Sequence, residues 1–234
     1  MRRMTTLSIA CFAIAAAIVA FLAAMSTRET IPYEVAEVPL VTEESAEDDG
    51  GADPVNWGAL PDSVVAWVRV PGTTVDYPIV KGDASDPDFY LTHDMNGSRS
   101  AWGTPYIDAG CADGVLSPLV IVYGHHMSDG TMFGPLERYA DRAFAEAHRT
   151  ILVYTRGRNV KLEVFATDVV DADKEGVRTG FNDAADLQAY LDERLGRCEV
   201  VLERPEGAER AWAFATCSYQ TANSRTVVLA REVG

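Results

Sequence analysis

Residues 54–234 predict a mainly β domain, a barrel or a sandwich of about eight short strands broken by short helices. Three observations carry this expectation. Apolar, β-branched and aromatic residues come in short runs: VVAWVRV, TVDYPIV, PLVIVYG, TILVYT, VKLEVFATDVV, EVVLE, AWAFATC and RTVVLAR. Turn formers separate the runs, and PGTT and RGRN read as hairpin connections. Helical patterning is confined to two stretches. TMFGPLERYADRAFAEAH predicts one or two short helices. NDAADLQAYLDERLGR predicts a helix over 182–197, capped by Asn182 or Asp183, with Leu187, Tyr190, Leu191 and Leu195 on one face. A hydrophobic content of 47% in 234 residues suffices for a proper core.

Three regions precede or form this domain. Residues 1–3 carry Arg2 and Arg3, and no charge then appears from Met4 to Thr27. At about 1.5 Å per residue the apolar stretch is long enough to cross a hydrocarbon core of roughly 30 Å. A membrane-spanning signal anchor over 4–25 is therefore expected. A cleaved signal peptide is the rival reading, but its apolar region is shorter, about 7–15 residues. Basic residues before the span and acids after it place residues 1–3 in the cytoplasm and the rest outside, giving a single-pass protein of the cell membrane. Residues 26–53, with nine acids between 29 and 53 and no base there, read as an acidic solvated linker.

A net charge of -15 argues against nucleic acid as a partner, because phosphate binding needs a basic face. The four cysteines, at 11, 111, 198 and 217, are too few and too scattered for a disulfide scaffold, and no C-x-x-C pair suggests zinc or a redox dithiol. A Cys111–Cys198 disulfide stays open as an alternative. His93 and His148 read as loop or surface histidines. His125 and His126 follow the PLVIVYG strand, and neighbours on a strand point to opposite sides, so they make a poor ligand pair for one metal. No metal or cofactor is expected.

One pair of strand ends stands out. AWAFATC ends at Cys217, and RTVVLAR begins at Arg225 across a loop of polar turn formers. A cysteine beside a fixed cation loses its proton more easily, which suits a thiolate nucleophile. Taken alone, the same pair also fits a small core residue and a solvated strand terminus. A nucleophilic thiol needs a base or imidazolium partner, and only one of His125 and His126 can face it. Papain-like peptidases run Cys before His, whereas here the order is reversed, and no G-x-S-x-G elbow or S-x-x-K occurs.

These motifs together resemble the sortases, membrane-anchored cysteine transpeptidases of Gram-positive cell surfaces, and within them class B. The likeness covers residues 54–231. It rests on NWGALPDSVVAWVRVPGTTVDYPIVKG and DFYLTHDMNGSRSAWGTPYID for the entry region, VYGHHMSDGTMFGPL for the histidine segment, and FATCSYQTANSR for the cysteine-to-arginine loop. The helix at 182–197, ahead of the strand that carries Cys217, is similar to the extra helix of that class. The resemblance implies a closed β-barrel of about eight strands, with His125 rather than His126 as catalytic histidine and Cys217 as nucleophile. Arg225 takes the role of the arginine that orients the signal peptide and stabilises the oxyanion. Tyr123, Thr92, Ala215 and Ser218 fall at its substrate groove. Thr92 stands where an Asn often follows the Tyr-Leu pair, and Ala215 where many members have Ser. No acid follows Cys217 closely, so none is assigned to a triad.

The function implied is cleavage of a C-terminal sorting signal of secreted proteins after Thr, followed by transfer of the acyl group to an amine. A peptidoglycan precursor of the lipid II kind is the expected acceptor, and a pilin amine is the alternative. A binding module in which Cys217 and His125 only pack is the reading from another class, and thiol reactivity separates the two.

Overall fold

The computed structural model describes residues 54–171, 178–218 and 224–233, with 217 and 218 described by their backbone alone. Nine strands form one sheet: β1 (Val64–Arg69), β2 (Asp76–Lys81), β3 (Tyr106–Ile107), β4 (Leu119–Gly124), β5 (Thr150–Thr155), β6 (Asn159–Asp171), β7 (Val200–Val201), β8 (Ala211–Ser218) and β9 (Ser224–Glu232). The order β5-β1-β2-β3-β4-β8-β9-β6 closes on itself through a further β5–β6 pairing, so eight strands make a barrel. The sandwich alternative falls away with that pairing. β7 extends the sheet by taking the edge of β6 that β5 leaves, pairing at Ala166 and Thr167. Every run singled out in the sequence is a strand, and β3 is the additional one.

Two features make closure possible. β6 is 13 residues long and pairs with β5 over its first half and with β9 along most of its length. Register shifts in β6 between Val164 and Ala166, and in β1 between Val64 and Ala66, add the local twist that closing a sheet requires. Ala211 to Thr216 of β8 are all buried, as expected for a strand covered on both faces. Trp212 and Phe214 stack at 6.0 Å, and Phe214 meets Phe133 edge-on at 6.2 Å.

The helices are short. A 3-10 helix over Gly134–Ala140 leads into α1 (Arg142–Ala147), which Asp141 caps by accepting from the Phe144 N–H at 2.9 Å. The predicted long helix is α2 (Ala184–Leu195), capped by Asp183 rather than Asn182. Its buried face is Leu187, Leu191, Leu195 and Arg194, while Tyr190 is half-buried. The arginine belongs there because Asp168 on β6 meets it at 2.6 Å, with side-chain exposures of 7% and 3%. Arg194 also donates to the Tyr190 hydroxyl. Removing one partner of a buried pair strands the other charge, at a cost of about 3–5 kcal/mol. Arg194→Met should therefore lower unfolding stability in urea by about that amount. A loss below about 1 kcal/mol would mean that Arg197, 3.8 Å from Asp168, takes over the pairing.

The membrane span expected at 4–25 and the linker at 26–53 lie outside the described residues. Among those described, no helix is long and apolar enough to cross a membrane.

Candidate active site

The topology brings three strand ends together. β4 and β8 run parallel, with Tyr123 beside Ala215 and Gly124 beside Thr216. β8 and β9 run antiparallel, with Ala215 opposite Val227 and Cys217 opposite Arg225. Continuing the β4–β8 register by one residue sets His125 at the level of Cys217. His125, Cys217 and Arg225 therefore lie at one end of three adjacent strands, and the stretch of chain joining β8 to β9 leaves from the same end. Parallel pairing of β4 with β8 is what achieves this, since an antiparallel pair would put the two strand ends at opposite ends of the barrel.

Gly124 permits the last step of β4. A Cβ there would lie 2.6 Å from the Phe133 ring, so only glycine lets the strand pass over that buried aromatic. Beyond it the histidines part. His125 Nε2 meets the Leu91 carbonyl oxygen at 2.6 Å, whereas His126 Nε2 meets Glu137 Oε2 at 2.7 Å. His126 belongs to the scaffold of the following loop. That loop returns at Met132, which bridges to His126, and the Phe133 N–H donates to the His125 carbonyl at 2.9 Å. Met132 is fully buried at a φ of 54°, a strained conformation that costs on the order of 1–3 kcal/mol. Its N–H donates to the Tyr77 hydroxyl at 3.0 Å, and Thr74 Oγ1 donates to the Gly130 carbonyl at 2.7 Å. The packed surroundings hold the loop against that strain.

Arg225 is half-buried, with its guanidinium carbon 5.7 Å from the centre of the Tyr123 ring. An arginine over an aromatic face keeps its charge and loses side-chain freedom. Tyr123 lies beside Tyr106 of β3, with ring centres 5.6 Å apart. Burial first, and then Asp108 beside its hydroxyl, raises Tyr123 well above the ordinary tyrosine range, while Arg225 opposes the shift. Burial and Asp88 act likewise on Tyr106, whose hydroxyl donates to Asp88 Oδ1 at 3.3 Å. Both phenols stay protonated and both donate to carboxylates, so the wall beside Arg225 is neutral at its rings and acidic behind them.

A Sortase domain family model matches residues 68–233, the greater part of the chain. The chain belongs to the sortase family. Among its relatives is sortase B of Listeria monocytogenes serovar 1/2a (strain ATCC BAA-679 / EGD-e), 31% identical over 156 residues, which are 66% of this chain and 62% of that protein. Among solved structures, Clostridium perfringens sortase B superposes with a TM-score of 0.64 at 28% identity, covering 74% of this chain and 94% of that one. A Staphylococcus aureus sortase B–substrate complex superposes with a TM-score of 0.65 at 26% identity, covering 74% and 81%. These matches place this sortase in class B.

The residues expected at the substrate groove of this sortase fall in different situations. Tyr123 lies on the face that carries Arg225. Thr92 is exposed, next in sequence to Leu91, and its hydroxyl lies 3.2 Å from His93 Nδ1. Ala215 is 4% exposed between Tyr123 and Val227, so it offers a peptide almost no surface. Ser218 ends β8 opposite Ser224, and its side chain lies outside the described atoms. The Cys111–Cys198 disulfide does not form: both are free thiols, Cys111 donating to the Leu119 carbonyl and Cys198 to the Arg194 carbonyl. Two acids went unnoticed in the sequence. Asp108 stands just beyond β3, too short a strand to show alternation, and Glu137 sits in a 3-10 turn with no helical period to mark it.

Proposed function

We propose that this sortase is a membrane-anchored cysteine transpeptidase that cleaves a C-terminal sorting signal after Thr and transfers the acyl group to an amine of a peptidoglycan precursor. The pairing of Cys217 with Arg225 across β8 and β9, at the level of His125 just past the end of β4, is the observation that carries it. Attack of the Cys217 thiolate on the Thr carbonyl forms a C–S bond and places negative charge on the carbonyl oxygen. Arg225 supplies directed donors to that oxygen. His125, as imidazolium, gives its proton to the departing amine as the C–N bond breaks, leaving a thioester. Neutral His125 then takes a proton from the incoming amine, which displaces the thiolate to form the new amide. The Staphylococcus aureus relative solved as a substrate complex supports substrate binding by a protein of this fold. The uncharged stretch from Met4 to Thr27 supports an anchor that holds the domain outside the membrane.

The test is incubation of the full chain with a panel of pentapeptides and candidate amines, read by mass spectrometry. The reading expects cleavage after Thr and an amide to the precursor amine. Preference for a pilin lysine would turn it to the pilus-building alternative, and no cleavage of any peptide would overturn it.

Arg225→Lys separates charge from geometry. A lysine keeps the positive charge that favours a nearby thiolate, but presents a point charge on a flexible stem in place of a planar fork. Loss of one oxyanion donor is worth about 10²–10³ in rate. We expect kcat/KM to fall at least about a hundredfold, with the pH profile of Cys217 alkylation little changed. Near-normal turnover, or an alkylation profile displaced by about a full pH unit, would leave Arg225 as a tuner of charge.

A further inference from the structure

His125 meets the Leu91 oxygen through Nε2 at 2.6 Å. A carbonyl oxygen only accepts, so the ring nitrogen facing it must carry the hydrogen. The Nε2–H is thus retained whether the ring is neutral or cationic, and the proton that comes and goes sits on Nδ1.

The Leu91 carbonyl is itself held in place. Leu91 ends a 3-10 helix over Phe89–Leu91. His93 Nδ1 donates to the Phe89 carbonyl at 2.8 Å, and its ring stacks on Phe89 at 3.9 Å, which fixes that turn. Behind the turn runs Gly103, at a φ of +61°. A Cβ at this glycine would lie 2.4 Å from the Tyr90 oxygen and 2.8 Å from the Leu91 oxygen. The next residue, Thr104, donates its N–H to the Tyr90 carbonyl at 2.9 Å and its hydroxyl to the His93 carbonyl at 3.2 Å. The backbone at 103–104 is therefore pressed against the two carbonyls from the side that only glycine allows.

We propose that the Leu91 carbonyl, backed by Gly103, is a positioning group that holds His125 in its Nε2–H tautomer and leaves Nδ1 as the atom that exchanges protons during transpeptidation. The tautomer and its anchor stand on geometry alone; the use of Nδ1 rests on the transpeptidase reading above. Leu91 and Gly103 touch no substrate in this account. They act through the ring they orient.

The test has a spectroscopic and a chemical arm. In full-length protein labelled with 15N-histidine, two-bond 1H–15N spectra above the titration of the ring should show His125, identified by loss of its signals in His125→Ala, with hydrogen on Nε2 and a bare Nδ1. An Nδ1–H tautomer, or an even mixture, overturns the proposal whatever the activity. Gly103→Ala should mix the tautomers and lower kcat by about 10²-fold with KM little changed, since a displacement on the order of 1 Å costs that much. A folded Gly103→Ala with wild-type tautomer and kcat overturns the role of Gly103. Should that variant fail to fold, Nδ1-methylhistidine at position 125 decides the chemistry. It should stop turnover while Cys217 still alkylates, and retained turnover would rule out Nδ1. A wild-type enzyme that cleaves no peptide would sink the transpeptidase reading, and with it the use of Nδ1, while the spectrum still decides the tautomer.

Discussion

Replacing Cys217 by alanine is expected to abolish transpeptidation, with a loss on the order of 10⁶ in kcat, the scale seen when a catalytic nucleophile is removed. The expectation follows from what the other thiols among the described residues are, Cys11 lying outside them. Burial pushes Cys111 up to about 11, with Asp108 adding to the shift, and pushes Cys198 up to about 12, with Asp168 adding. Neither carries appreciable thiolate at neutral pH, and neither belongs to β4, β8 or β9, the strands whose shared end brings His125, Cys217 and Arg225 together. A methanethiosulfonate reagent should therefore inactivate the wild type and block further alkylation at one site. Cys217→Ala should show no such rapid site, because raising the pKa of a thiol by two or more units lowers its thiolate fraction by about 10² or more. Turnover retained by Cys217→Ala would sink the proposed chemistry.

The second large effect separates neighbours in the chain. His125→Ala should cost about 10²–10⁴ in rate, the range for a general acid–base group, and more if the ring also pairs with the thiolate. His126→Ala should cost at most a few-fold, because His126 is committed to Glu137 and to the loop that returns at Met132. Its loss belongs in stability: the contact between His126 and Glu137 would go, and the loop that returns at Met132 would loosen. Parallel thermal melts tell the outcomes apart. His126→Ala should melt lower with turnover nearly intact, and His125→Ala should keep its melting point with turnover gone. Equal catalytic losses at matched stability would contradict the assignment.

Much of this was legible in the residues, for identifiable reasons. Runs such as AWAFATC and RTVVLAR are long enough for β propensity to show, and each is a strand. β3 spans only Tyr106–Ile107. Two residues cannot display a period of two, so its parallel pairing with β2 and its antiparallel pairing with β4, which join the two halves of the sheet, were invisible. Closure into a barrel depends on long-range register, above all on β6 serving β5 and β9 at once, and no local pattern encodes it. In α2 the apolar spacing picked Tyr190 for the buried face and passed over Arg194, because the partner that lets an arginine go inside, Asp168, lies 26 residues away.

The candidate site divides the same way. The parting of His125 and His126 followed from strand parity, and the meeting of Cys217 with Arg225 from two strand ends flanking a loop. The Leu91 carbonyl could not be foreseen. A backbone acceptor leaves no mark on the identity of its own residue, and only Gly103, whose neighbours permit no side chain, carries a trace of it. Asp108 behind Tyr123 escaped for a different reason: its role comes from the fold of β3 against β4 and not from any motif.

The thioester on Cys217 is the step on which the whole account turns, and it can be weighed. The full chain is mixed rapidly with a cleavable sorting-signal peptide in the absence of amine, quenched in acid, and its intact mass read, with the modified residue located by fragmentation. The account predicts an adduct on Cys217 equal to the peptide truncated after Thr, discharged when an acceptor amine is added before the quench and absent from Cys217→Ala. An adduct on any other residue, or amide exchange with no Cys217 adduct even in His125→Ala and Arg225→Lys backgrounds where slow discharge should let it accumulate, would contradict it.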